Sequence, residues 1–186
     1  MTDNNKPNLV NYGENEWEFV YPPNIDNESV YNEFWEGVEQ LDYNDKIAEK
    51  IFKLLIKKHP FYLDAYNHLS IAFRNQNKTF ESFITAEKAY NLGKSIFPKE
   101  FNKDKDELIW SNHDNRPFLR CCQTFGQEYQ LQNKYKKAIE IYSEILHYNN
   151  GDNQGIRYLI LECLFALKDY KQAEIFISKL YVFKLI

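Results

Sequence analysis

The chain has 186 residues, 44% hydrophobic and 27% charged, with 23 basic side chains against 27 acidic ones. A net charge of −4 without any basic run excludes a duplex nucleic-acid binder, which needs a positive stripe to displace counterions. Only 6 glycines against 14 Tyr and 14 Phe leave little room for phosphate-cradling loops or hairpin turns, and a chain of this length buries enough surface to need no disulfide or metal staple.

Residues 1–28 are polar and carry Pro7, Pro22 and Pro23, so they read as a mostly irregular arm. Its aromatic-apolar patch Trp17, Phe19, Val20 and Tyr21 is suited to packing on the body. The first residues lack the charged-then-apolar order of a secretory signal, and no apolar stretch approaches the roughly 18 residues of a membrane span. Cys121, Cys122 and Cys163 are odd in number and two are adjacent, a poor disulfide framework. A cytoplasmic location is the expectation.

From Asn27 the hydrophobic period becomes helical. Val30, Phe34, Val38 and Leu41 share one face behind an Asn27 or Ser29 cap, and Ile47, Ile51, Leu54 and Leu55 follow until His59-Pro60 stops the helix. A third helix is expected over 63–74, with Ala65, Leu69, Ala72 and Phe73 inward, and a fourth over 80–97 ending at Pro98. Residues 98–116 are a charged connector anchored by Phe101, Leu108, Ile109 and Trp110. Two further helix pairs follow, 117–131 with 134–148 and 154–167 with 170–185. Pro117 suits a first helical turn behind Asn115 or Asp114. No segment shows a convincing period of two, so the fold class is all-α.

The helix pairs repeat. Gly126-x-x-Tyr129 followed by Tyr135 and Ala138-x-x-x-Tyr142 is one instance; Ala173 with Ile177, Ala48 with Phe52 and then Pro60, and Ser82 with Ala86 and Ala89 return the same spacing. Small residues let the second helix of a pair approach the first, and aromatics fill the space between pairs. On these residues the chain resembles the tetratricopeptide repeat family, in units near 29–62, 63–97, 117–153 and 154–186, with degenerate repeats of a bacterial type. The first unit departs by carrying Glu36 where the family tends to have glycine, and only Pro60 keeps the unit-ending proline. The resemblance implies a right-handed α-solenoid whose first helices line a concave groove, and a non-enzymatic role in binding a peptide or partner helix there.

Projected onto that groove, the first helices offer Asn67, Ile71 and Arg74, then Arg120, Gln123 and Gln127, then Tyr158 and Glu162. Such a strip can hydrogen-bond a peptide backbone, and Arg can fork onto a carboxylate. The carboxylate clamp of some family members is not carried over, because its lysines are missing. Arg116 and Arg157, beside their Asp-Asn turns, suit local structural networks. The four histidines are too scattered for a metal site, Cys121 and Cys122 read as buried thiols, and no catalytic constellation or cofactor is expected. Two alternatives stand beside the groove. One is a small-ligand or catalytic site where the connector meets the third unit, using Trp110, His113 and Arg116. The other is a homodimer through the apolar C-terminal helices, which end Tyr181-Val182-Phe183-Lys184-Leu185-Ile186.

Overall fold

The computed structural model describes residues 5–182. Two short strands, β1 (Asn8–Asn11) and β2 (Trp17–Val20), precede eight α-helices among the described residues: α1 (Glu28–Glu39), α2 (Asp45–Lys58), α3 (Leu63–Asn75), α4 (Thr79–Lys94), α5 (Arg116–Leu131), α6 (Tyr135–Tyr148), α7 (Ile156–Ala166) and α8 (Tyr170–Val182). The helices pack as consecutive pairs. Each second helix also touches the first helix of the next pair, and α3 lies against α5 directly.

Local chemistry sets the helix boundaries. Asn27 accepts a hydrogen bond from the Val30 amide (3.1 Å) and Asn44 from the Ile47 amide (3.4 Å), each satisfying a donor that the first helical turn leaves open. In the three later pairs the turn residue is left-handed: Asn77 (φ 60°), Asn133 (φ 59°) and Lys168 (φ 59°). The amide just after each turns back to a carbonyl five residues earlier, Lys78 to Phe73, Lys134 to Tyr129 and Asp169 to Leu164, at 2.9 to 3.0 Å. The backbone itself therefore repeats, and not only the side-chain spacing.

Close approach within pairs depends on small residues. Gly126 sits on the Tyr142 ring, so that even a methyl group there would overlap it, and Ala138 is fully buried nearby. In the first pair Gly37 plays this part, 2.7 Å from the Phe52 ring for a methyl at that position. Glu36 stands where the repeat spacing puts glycine, and Gly37 takes over the packing role one residue later, 11 residues before Ala48 where Gly126 stands 12 before Ala138. The second pair replaces glycine with a serine couple. The Ser82 hydroxyl lies 2.8 Å from the Ser70 carbonyl, and the Ser70 hydroxyl 3.0 Å from the Ser82 carbonyl.

The arm and the connector differ from expectation. Leu9, Trp17 and Phe19 are buried while Val10 and Val20 are exposed, so the residues read as an irregular arm form an antiparallel hairpin pairing Leu9 with Phe19. The helical repeats are thus accompanied by a small piece of sheet. Hairpin and connector join: the Trp17 amide donates to the Glu107 carbonyl (3.0 Å), the Glu107 amide to Asn15 (2.7 Å), and Trp17 meets Phe101 edge-on. Leu108 is fully buried and its amide bonds the Tyr148 carbonyl (2.7 Å). Together these two segments cover the heads of the central pairs. The fourth helix ends at Lys94, short of Phe97; near its end Gly93 is pressed against the Phe118 ring, and the chain then turns into the connector.

Asn115 fixes that cover. It was expected as a cap for α5, yet its side chain makes no capping bond. Instead, fully buried, it accepts from the Phe19 amide (3.1 Å) and donates to the Trp17 carbonyl (3.0 Å), completing the outer edge of β2 as a further strand would.

Two predictions follow from this packing. Gly126→Ala should destabilise the chain by about 1–3 kcal/mol through overpacking against Tyr142, read by urea unfolding. Asn115→Leu leaves two buried backbone groups without partners, should cost about 2–4 kcal/mol, and should speed hydrogen exchange at the Phe19 amide before that of the helices.

Candidate functional site

The centre of the molecule is a polar seam between α3 and α5. Along α3, Asp64, Asn67, Ser70 and Arg74 recur every three or four residues, and Arg120, Thr124 and Glu128 recur every four along α5. The two rows meet in order. Arg120 forks onto Asp64, Nε to Oδ1 at 2.9 Å and Nη2 to Oδ2 at 2.5 Å. The Thr124 hydroxyl donates to Asn67 Oδ1 at 2.6 Å. At the far end the Glu128 carboxylate, 4% exposed, receives Arg74 Nε (2.9 Å) and the Ser82 hydroxyl (2.7 Å). Burial works against the Arg120 charge, but the adjoining Asp64 carboxylate outweighs it and holds the guanidinium charged.

This arrangement redefines three of the expected groove residues. Asn67 is buried and held by Thr124, Arg74 is committed to Glu128, and Arg120 to Asp64. They lie at the expected positions on the first helices, but their partners are one another's helices. Gln123 is bonded to Gln154 (2.8 Å) in the turn before α7, and Glu162 on α7 accepts from Gln130 on α5 (3.0 Å). Gln127 is half-buried, with no side-chain hydrogen bond among the described residues. Tyr158 is 73% exposed. Sequence reasoning passed over the aromatic residues beside the seam: Tyr31 and Trp35, stacked edge to face on α1 and both exposed, and Phe165, which extends the Tyr158–Glu162 face of α7.

Where the seam reaches the heads of the helices a cleft of about 170 Å³ opens between the loop after β2, α1, and the starts of α3 and α5. Tyr21, Tyr31 and Tyr62 line it with Asp26, Asp114 and the Asp64–Arg120 fork. His113 also reaches this cleft. Trp110 and Arg116, grouped with His113 in the connector-site alternative, face each other instead: the Arg116 guanidinium stacks on the Trp110 ring at 5.2 Å and its Nε donates to the Trp110 carbonyl (2.9 Å). Arg157 is likewise local, bonding Asp152 (3.2 Å) and the Asn150 carbonyl (2.6 Å).

Reactive groups elsewhere are muted. Burial pushes the Cys121 and Cys122 thiols well above their usual range, and Cys163 up to about 11, which disfavours the thiolate that redox or nucleophilic chemistry needs. Among the described residues no cluster of three or more His, Cys, Asp or Glu side chains is placed to hold a metal, and no helix is long and apolar enough to cross a membrane. The C-terminal run on which the homodimer expectation rested lies outside the described residues from 183 onward.

The family model for anaphase-promoting complex, cyclosome, subunit 3 matches residues 113–180, from the turn before α5 into α8. No curated protein matches the sequence. Among solved structures, that of the MamA protein superposes with a TM-score of 0.59 at 13% identity, covering 80% of this chain and 69% of that one. A chain in the structure of Naa15/Naa10 bound to HypK-THB gives 0.54 at 18% identity, over 80% of this chain and 20% of that one. At these identities the likeness is one of fold.

The seam makes a direct prediction. Arg120→Ala strands a buried carboxylate and should cost about 3 kcal/mol, whereas Asp64→Leu with Arg120→Met removes both charges and should recover most of that loss. Urea unfolding of the three chains measures the difference.

Proposed function

We propose that this chain, whose fold is that of a tetratricopeptide-repeat protein, holds a segment of another protein on the face formed by its first helices α1, α3, α5 and α7. The observation that carries the reading is a set of aromatic side chains which the core does not use. Tyr31 and Trp35 on α1, and Tyr158 and Phe165 on α7, are 58%, 44%, 73% and 50% exposed. They flank a seam whose own charges are already paired.

That division of labour suits docking. Aromatic rings supply large contact area at small conformational cost, and they are the side chains in which binding energy concentrates. Gln127, without a side-chain partner, and Gln123 lie between the two aromatic groups and supply hydrogen bonds to a peptide backbone. Arg120, one-third exposed, presents the outer side of its guanidinium while Asp64 holds the inner. The seam keeps the helices at fixed spacing before a partner arrives, so little ordering remains to oppose binding. The muted thiols and fully paired seam carboxylates favour binding over catalysis. The structure of Naa15/Naa10 bound to HypK-THB, to which the fold is similar, is itself an assembly of protein chains.

Affinity capture from a lysate, compared between the unaltered chain and Tyr31→Ala/Tyr158→Ala by quantitative mass spectrometry, tests the face. Both substitutions remove exposed rings, so the melting temperature should stay within about 2 °C. At least one captured protein should fall by tenfold or more. Equal recovery of every captured protein by the two chains would remove the docking assignment from this face.

A further inference from the structure

The cleft at the head of the seam has a chemical bias of its own. The charge of its one strong cation, Arg120, is offset by Asp64. Asp26 and Asp114 also line it, and neither forms an ion pair among the described residues. Burial raises the Asp114 carboxyl above its ordinary range, and repulsion from Asp26 and Glu18 adds to the rise, against a smaller opposing pull from neighbouring His113. Tyr21 lines the same cleft, and its hydroxyl is buried without any hydrogen-bond partner. A buried hydroxyl in that condition costs free energy that a ligand's donor would recover. Tyr31 and Tyr62 bring two further aromatic rings to the walls.

Carboxylates in excess of the cleft's cations, an acceptor oxygen without a donor and electron-rich ring faces have one common complement. We propose that the cleft takes the cationic end of a partner's side chain, a lysine ammonium or an arginine guanidinium, with Asp26 and Asp114 supplying charge, the Tyr21 oxygen accepting a hydrogen bond and the tyrosine rings packing around the cation. The inference rests on the docking reading: Tyr31 belongs both to the cleft and to the aromatic set on the first helices, so the cleft is the charged anchor at one end of that face. Cations held over aromatic rings gain most where water is excluded, and charge-assisted hydrogen bonds to a carboxylate are the stronger kind. A carboxylate-bearing segment finds the opposite there, since Asp26 and Asp114 remain after Arg120 has offset Asp64.

The test is an NMR titration of the full chain carrying ¹³C-labelled tyrosine rings, with terminally blocked tripeptides Gly-Lys-Gly and Gly-Arg-Gly. Their neutral counterparts are built with acetyl-lysine and citrulline, and Gly-Glu-Gly is the acidic control. The Lys peptide, the Arg peptide or both should shift the Tyr21, Tyr31 and Tyr62 rings and saturate with a dissociation constant in the millimolar range, as a single anchored side chain gives. Which one binds decides between ammonium and guanidinium. Asp26→Asn/Asp114→Asn should weaken that binding at least tenfold without lowering the melting temperature, because it removes like-charge repulsion from the folded state. Tyr21→Phe, which keeps the ring, should weaken it several-fold. Equal binding of the neutral peptides, preference for the glutamate peptide, or binding unchanged in the double Asn variant would overturn the proposal. The two readings fail separately. Peptides that bind the cleft while capture is unaffected by Tyr31→Ala/Tyr158→Ala refute only the docking face, whereas loss of capture without peptide binding refutes only the cleft.

Discussion

Everything in this molecule is arranged around the polar seam between α3 and α5. A solenoid of helix pairs ordinarily joins successive first helices through apolar contact. Here Asp64, Asn67 and Arg74 meet Arg120, Thr124 and Glu128 in register instead. Each contact is specific in a way that leucine against leucine is not. Sliding α5 by one turn along α3 would leave Asp64 and Glu128, both buried, facing the wrong partners, at a cost of several kcal/mol for each stranded charge. Register between the second and third pairs is thereby fixed by charge, and the face that these helices present inherits its spacing. Lys94, Tyr90 and Tyr148 gathered on Glu144 perform the same service between the second helices α4 and α6.

The second constraint is the buried amide of Asn115. It stands immediately before α5, five residues ahead of the Arg120 that begins the seam. Through it the hairpin is attached to the helix that the seam positions, and Tyr21, just beyond β2, is brought to the cleft. Two segments that carry no repeat, the arm and the connector, thus acquire a shared purpose. Bonded to each other through Trp17, Asn15 and Glu107, they close the open heads of the central pairs and supply one wall of the cleft.

The helix pairs were legible because their chemistry is local. Ala48, Ser82, Ala138 and Ala173 are small where two helices cross, and caps such as Asn27 and Asn44 act within one turn. The hairpin escaped because its alternation spans only Trp17 to Val20 and is overshadowed by flanking prolines, so a two-residue period has almost no length in which to appear. Gly37 escaped because it lies 11 residues before Ala48, one short of the 12 between Gly126 and Ala138 on which the repeat is aligned. The candidate site was half legible. Asn67, Arg74 and Arg120 do lie on the first helices as projected, but a sequence projection gives the direction of a side chain and not what waits there. One clue was present: Asp64 and Arg120, Asn67 and Thr124, and Arg74 and Glu128 are complementary pairs separated by 56, 57 and 54 residues, a nearly constant offset. The cleft had no such trace, since its walls come from three separate stretches of chain.

The buried apolar side chains form two clusters, one running from Val30 through Phe52 to Phe73, the other from the hairpin through Phe118 to Ala173, and α3 contributes to both. The cleft straddles that division. Tyr31 stands on α1, whose inner face belongs to the first cluster, while Tyr21 and Arg120 stand on elements of the second. Clusters separated in this way open as partly independent cooperative units. An occupant touching both walls would therefore act as a brace, adding its binding free energy only to states in which both units are closed. Its presence would register as a sharper, more concerted unfolding transition of the whole array, and not only as local protection of the residues it contacts.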